Sequence, residues 1–511
     1  MNDPCRAGPG RLALAGPRFQ DMGQSPGLAS LTPQTREDRA EAGRALRRAV
    51  PRGAHAGWTP PASRPDPVAT VLAQERGRIA ELLPRRHGLM AGSPLAFLRG
   101  AASVMAADLA ATPAIGLRVQ ACGDCHLMNF GAFSSPEGAP LFDINDFDET
   151  LPAPFEWDTK RLAASLVLAG RETGLDEAGA GALAREAVRA YAGEMAALAA
   201  LDPLACWSRR IDLEGAIAAI RDRGARHDAE ARLRRALEAG ATRYGLLERE
   251  GAGWRLRGDV AQMFRLPRHD GAVHAAFDAY RRTLQEEDRQ VLLRRYRLAD
   301  WAFKVVGVGS VGTFCAIGLF LSGDGAPLLL QLKQAERSVL APFAGASDYA
   351  AEGERVVTGQ RMMQAASDIF LGWARMPAAV LAAGGPGAGG TMRPGDAASA
   401  GEVPEDATPG PEHVYVRRLK DARLGAVGPR IAARSLASYA ALCGRTLARA
   451  HARSGDAATL SGYVGGPGYA RAVAAFARDY ADQATRDWRA FTEAIAAGRV
   501  SQDPSGQDAP R

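Results

Sequence analysis

Apolar and polar positions along the chain predict a helix-rich frame interrupted by two clusters of strands. Ser93-Pro94 supplies an N-cap and a first-turn proline, and Leu95, Leu98, Val104, Met105 and Leu109 share one face, so a helix is expected over Ser93–Leu109. Short strands follow at Gly116–Ala121 and Pro140–Ile144. Residues 156–300 are dominated by Ala/Leu/Arg helices, expected at Leu183–Leu201, Ala229–Glu248 and Ala272–Leu298, with few strand signals. Their Leu and Ala stripes read as packing faces. Thr313–Leu321 and Leu328–Lys333 are apolar runs joined by Ser322-Gly-Asp-Gly325, a hairpin pattern. A helix over Asp348–Leu371, a strand over His413–Leu419 and a helix over Ile431–His451 come next, the last closing with Gly455 as C-cap. Residues 468–497 read as a final amphipathic helix pair.

Composition marks the boundaries. Residues 1–70, rich in Pro, Gly, Arg and Ala, read as a flexible leader in which 37–50 orders transiently, with helix beginning near Asp66 or Pro67. Residues 376–412, containing GGPGAGG, read as a flexible surface insertion, and 499–511 as a polar tail. An apolar content of 47% over 511 residues is enough for sizeable cores. The net charge of +6 would help recruit an anionic nucleotide, although a charge of this size is also ordinary solvation. Arg is spread along helices, with no nucleic-acid-binding motif and no apolar stretch of about 18 residues, so neither nucleic acid nor a membrane span is expected. Six sparse, irregular cysteines suit a reducing cytoplasm.

The chemistry is concentrated in residues 122–149, CGDCHLMNFGAFSSPEGAPLFDINDFDE. Asp124, His126 and Asn129 form G-D-x-H-x-x-N, and the run Pro140–Ile144 delivers Asp146 and Asp148. An acid, an amide five residues later and a second acid at a strand end are what kinase-type phosphotransferases use to orient a hydroxyl and to hold magnesium on ATP phosphates. Magnesium takes few protein oxygens and keeps waters, which suits so small a ligand set. Asp and Asn between apolar runs are also ordinary turn residues. Cys122-x-x-Cys125-His126 matches the c-type haem pattern, but no apolar export segment of roughly 7–15 residues precedes it, and no βαβ pattern supports a redox pair.

A second motif lies far downstream. Gly307, Gly309 and Gly312 form G-x-G-x-x-G with Ser310 inside it. A dinucleotide fold would open a helix at the third glycine, whereas here a hairpin follows and ends in Lys333. Strand, glycine loop, strand, turn and strand ending in Lys is the ATP clamp of a kinase small lobe, with the ammonium on the α- and β-phosphates. A surface hairpin with a snorkelling Lys would look the same. Glu354, in preference to Glu352, is the candidate partner for that Lys on the next helix.

Over roughly residues 70–500 the chain resembles the bacterial family called domain of unknown function 2252. The resemblance is carried by SPLAFLRGAASVMAADLA, GDCHLMNFG, NDFDETLPAPFEWDTKRLAASL, KVVGVGSVGT with LQLK, GERVVTGQRMMQAASDIFLGW and LARAHARSGD. It implies no activity. Its loops are similar to those of aminoglycoside and choline phosphotransferases, which implies Asp124 as base, Asn129 and Asp146 as magnesium ligands and Asp158 as a structural acid. Asp143 competes with Asp146 for the metal, and His126 braces the loop.

The expected fold is therefore α+β, kinase-like and bilobal, but circularly permuted, because the catalytic loop precedes the glycine loop; permutation is tolerated where the original ends can be bridged at the surface. Residues 71–300 and 421–498 would form the large lobe and 301–420 the nucleotide-clamping lobe. The expected function is ATP- and Mg-dependent transfer to a hydroxyl of a small-molecule acceptor. A nucleotide-binding pseudo-enzyme and a metal-dependent hydrolase using Asp124, His126, Asn129, Asp143 and Asp146 remain as alternatives. If the halves meet, the Lys333 ammonium should lie within about 10 Å of the Asp146 carboxylate.

Overall fold

A computed structural model describes residues 34–238, 245–251, 253–258, 260, 263–265, 269–284, 286–305, 307–376, 412–419 and 435–503. Most of the insertion expected at 376–412, and residues 1–33 and 504–511, lie outside them. The architecture is α+β, with a helical body and a six-stranded antiparallel sheet.

The body is built around the helices Phe155–Glu172, Glu177–Ala199, Leu436–Ala452, Ala457–Val464 and Pro467–Ala496. Their apolar stripes merge into one core that includes Leu166, Tyr191, Leu447 and Tyr480. The last helix is continuous over 30 residues, where a pair was expected. Two small antiparallel ribbons sit on this body. Arg118–Ala121 pairs with Leu151–Pro154, and Phe130–Ser134 pairs with Pro140–Ile144.

The sheet runs in the order Gly372–Arg375, His413–Arg418, Pro327–Gln334, Cys315–Ser322, Tyr296–Lys304, Met263–Phe264. One face, with Leu328, Leu330, Leu332, Val414 and Val416, packs with Phe277 and Tyr280 of the helix Asp270–Thr283. Strand alternation therefore turns Gln331, Lys333, Tyr415 and Arg417 to the other face. In register, Lys333 faces Tyr415 and Gln331 faces Arg417. The hairpin expected at 313–333 is present, closed over Cys315–Ser322 and Pro327–Gln334.

Several expectations are corrected. The expected leader is ordered from Thr35, which caps the helix Arg36–Ala49 with Asp38 in a capping box. That helix crosses Ala457–Val464 so closely that a Cβ on Gly43 would stand 2.0 Å from Thr459 O. The single helix over 93–109 is two, Pro94–Gly100 and Ala102–Ala110, because the Gly100 carbonyl is taken by Arg86 Nη2 at 2.6 Å instead of the helical ladder. The helix expected over 272–298 ends at Thr283; Glu287–Leu293 is a second helix, and Tyr296 already opens a strand. A bulge between Leu298 and Asp300 breaks the period-two alternation that would have revealed that strand. In place of one helix over 229–248 stand the helix Arg223–Glu238 and a hairpin, Leu247–Glu250 with Gly253–Leu256. The helix expected over 348–371 is confined to Glu352–Met363. In the tail, Val500 is buried and the Asp503 amide donates to Pro84 O. No described helix is long and apolar enough to cross a membrane.

Candidate functional site

The two sequence-predicted motif groups face one cavity of about 450 Å³ between the sheet and the body. Asp124, His126, Asn129, Asp146 and Asp148 line one side, and Gly307, Gly309 and Ser310 the other. Lys333, on the strand Pro327–Gln334, is 2% exposed and meets two of these lining acids. Its Nζ lies 3.1 Å from Asp146 Oδ1 and 2.5 Å from Asp148 Oδ2. The expected proximity of Lys333 and Asp146 is thus met with room to spare. Burial alone would pull the Lys333 pKa down, but Asp146 and Asp148 outweigh it and hold the ammonium well above its ordinary range.

Tyr415 completes this cluster by donating its hydroxyl to Asp148 Oδ1 at 2.5 Å. The acid that anchors Lys333 is therefore Asp148 and not a helix Glu. Glu352 pairs with Arg355, and Glu354 makes no ion pair with Lys333. Arg355 in turn donates to the carbonyls of Asp148, Thr150 and Glu336, so this helix holds the acidic loop through its backbone.

The catalytic-type loop is held from below. Asp158 accepts from the amides of Cys122 and Gly123 at 2.6 and 3.0 Å and contacts His451 Nε2 at 3.1 Å. All of these are buried, and His451 is itself held by Tyr191 at 3.1 Å. Gly123 has φ +83°, and a Cβ there would stand 2.4 Å from Glu149 O, so only glycine fits this turn. Gly455 has no positive φ; the expected left-handed cap is absent, and a Cβ there would meet Val119 instead.

Asp124 Oδ1 accepts from Arg161 Nε at 2.8 Å and from Arg161 Nη2. Its Oδ2 lies 3.6 Å from His126 Nε2. Burial pushes the His126 pKa down to about 4, so the ring is neutral at pH 7. The Asn129 amide nitrogen donates to Asp124 O and Asp146 O, both at 3.1 Å. Carbonyls only accept, so these contacts fix the amide orientation and point Oδ1 elsewhere.

Asp143 is not part of this cavity. It is 1% exposed, pairs with the fully buried Arg449, and accepts from the Ala365 and Ile144 amides. Of the two acids that competed in the sequence, only Asp146 lines the cavity. The cysteines of the haem-like pattern are buried, and burial raises the Cys125 thiol well above its ordinary pKa, which leaves it inert. Among the described residues, no three His, Cys, Asp or Glu side chains are grouped to hold a metal ion.

The glycine loop is clamped by Arg78 and Ile79, in the connection that follows the helix Pro67–Gln74, and by Arg86 of the helix Leu83–Ala91. Arg78 Nη1 donates to Gly309 O and Val311 O, Arg86 Nη1 donates to Val308 O, and the Ile79 amide donates to Gly312 O at 2.7 Å. Gly312, at φ +88°, needs glycine, whereas Gly307 has open space around its Cα.

Sequence reasoning missed Arg161, His451, Tyr415, Arg78 and Arg86. For Arg161 a signal existed: it follows Asp158 by one helical turn, on the same side of Phe155–Glu172.

The model of a family described as uncharacterized protein conserved in bacteria (DUF2252) matches residues 78–494. The chain belongs to this family. No curated protein and no solved structure matches it. The family match takes in both motif groups, and its first matched residue is Arg78, the side chain that clamps the glycine loop.

Proposed function

We propose that this chain is a kinase-like phosphotransferase with its halves in permuted order, moving the ATP γ-phosphoryl group to a hydroxyl of a small-molecule acceptor. The observation that carries the reading is Lys333, at the end of the glycine-loop hairpin, ion-paired to Asp146 and Asp148 over the cavity that Asp124 and Asn129 line.

Magnesium fits the residues present. The hydrogen bonds of Asn129 leave its Oδ1 for a hard cation, and the Asp146 side chain is 43% exposed. Those two would hold it. When bound, the cation would neutralise charge on the phosphoryl oxygens. Arg161 fixes Asp124 Oδ1, so Oδ2 is the oxygen for the acceptor proton. The acceptor oxygen bonds to the γ-phosphorus, the bond to the bridging oxygen breaks, ADP leaves, and the proton passes to Asp124. Lys333 binds the α- and β-phosphates. The loop amides of Val308, Gly309 and Val311 have no hydrogen-bond partner among the described residues and suit a phosphate cradle. The hydrolase alternative is disfavoured, since a single neutral His stands in the cluster.

A nucleotide-binding pseudo-enzyme is the second reading, favoured by the grip of Arg161 on Asp124. Asp124→Asn separates the two. Mg-ATP affinity should stay within a few-fold, while single-turnover transfer of labelled γ-phosphate to a metabolite pool falls by at least roughly 10²-fold. Equal rates in both proteins would remove Asp124 as the base. Tight nucleotide binding without transfer by the wild type would favour the pseudo-enzyme.

A further inference from the structure

Asp124 already has its cation in Arg161, yet a second guanidinium stands beside it. Arg99 lines the cavity, and its opposing charges are Asp124 and Glu172, neither within ion-pair distance. Its Nε is buried without a hydrogen-bond partner, and burial pulls its pKa down. Three more cations line the cavity without an ion pair among the described residues; Arg417 is spent on Gln331 Oε1 and the Asn145 carbonyl, which leaves two. Arg78 spends Nη1 on loop carbonyls and leaves a buried Nε unpartnered, and Lys304 makes no ion pair while burial lowers its pKa. Asp146 and Asp148 share the one ammonium of Lys333 and also feel the Arg417 guanidinium, and burial raises the two remaining acids of the wall, Glu149 and Glu336, toward the neutral form. A buried cation with no partner costs free energy that its own fold does not return, which is characteristic of a ligand site.

We infer that Arg99, assisted by Arg78 and Lys304, binds an oxyanion carried by the acceptor, so that the acceptor is a hydroxyl compound bearing a phosphate or a carboxylate. The word acceptor rests on the phosphotransferase reading; the oxyanion rests on the unpaired cations alone.

Equilibrium dialysis tests this with labelled glycerol 3-phosphate, glycerate and glycerol, each with and without saturating Mg-AMPPNP. The wild type should retain one of the two anions at least about tenfold more tightly than glycerol, and which one identifies the anion class. Arg99→Met should abolish that preference and keep Mg-AMPPNP affinity within about threefold. Its melting temperature should stay level or rise, because an unpaired buried charge is gone. No preference for either anion overturns the inference. So does a loss of Mg-AMPPNP affinity in Arg99→Met equal to that in Lys333→Met, which would give these cations to the triphosphate. A fall in melting temperature overturns it too, by making Arg99 structural. If the wild type retains an anion but no Mg-AMPPNP, the oxyanion site stands and the phosphotransferase reading falls.

Discussion

Replacing Lys333 by Met removes the one ammonium shared by Asp146 and Asp148. Breaking a fully buried ion pair costs roughly 3–5 kcal/mol. Here the two carboxylate side chains are 43% and 31% exposed, so water screens what is left behind. The expected loss of stability is therefore about 1–2 kcal/mol, within reach of urea unfolding and small enough to leave the protein folded. Binding should suffer more. A charge-assisted bond to phosphate is worth about 1.5–3 kcal/mol, and the wild type must first give up the 3.1 Å contact with Asp146 to make it. The net expectation is a rise of roughly 10–50-fold in the Kd for Mg-AMPPNP by calorimetry. Magnesium alone should move the other way, because Asp146 loses its competing ammonium, so cation affinity in the absence of nucleotide should increase. A folded Lys333→Met protein that binds Mg-AMPPNP within about threefold of the wild type would show that Lys333 is only a structural counter-ion and would end the assigned phosphate site.

Arg449→Met should cost roughly 3–5 kcal/mol in urea unfolding, because it strands the buried Asp143 carboxylate, while any magnesium dependence of nucleotide binding stays as in the wild type. His126 sets part of the acid sensitivity. Its pKa is depressed to about 4 in the fold against 6.5 unfolded, so the unfolded state takes up the proton first and stability is lost as pH falls from 6.5 toward 4. The contribution is roughly 3 kcal/mol across that window, and His126→Asn should flatten unfolding free energy against pH by up to about 1.4 kcal/mol per unit there. An unchanged slope would mean that the imidazole is not buried in the neutral form.

The chain's local patterns already contained both halves of the candidate site. The spacing of Asp124, Asn129 and Asp146, and the glycine loop running into a hairpin that ends at Lys333, are short-range features readable without a fold. Asp158 was reached only through the resemblance to aminoglycoside and choline phosphotransferases, because an acid in the first turn of a helix is ordinary by itself. Local patterns failed wherever a partner is remote. Asp143 and Asp146 look alike in sequence; what separates them is Arg449, 306 residues from Asp143 along the chain. The anchor of Lys333 could not be chosen because Asp148 and Tyr415 come from different elements, brought together by strand register. The break at Gly100 depends on Arg86 capturing one carbonyl, which helix propensity does not encode. Periodicity and turn chemistry are properties of neighbouring residues and so are written in order along the chain. Burial, charge pairing and the meeting of the two motif groups depend on which distant segments pack together, and only the tertiary structure decides that.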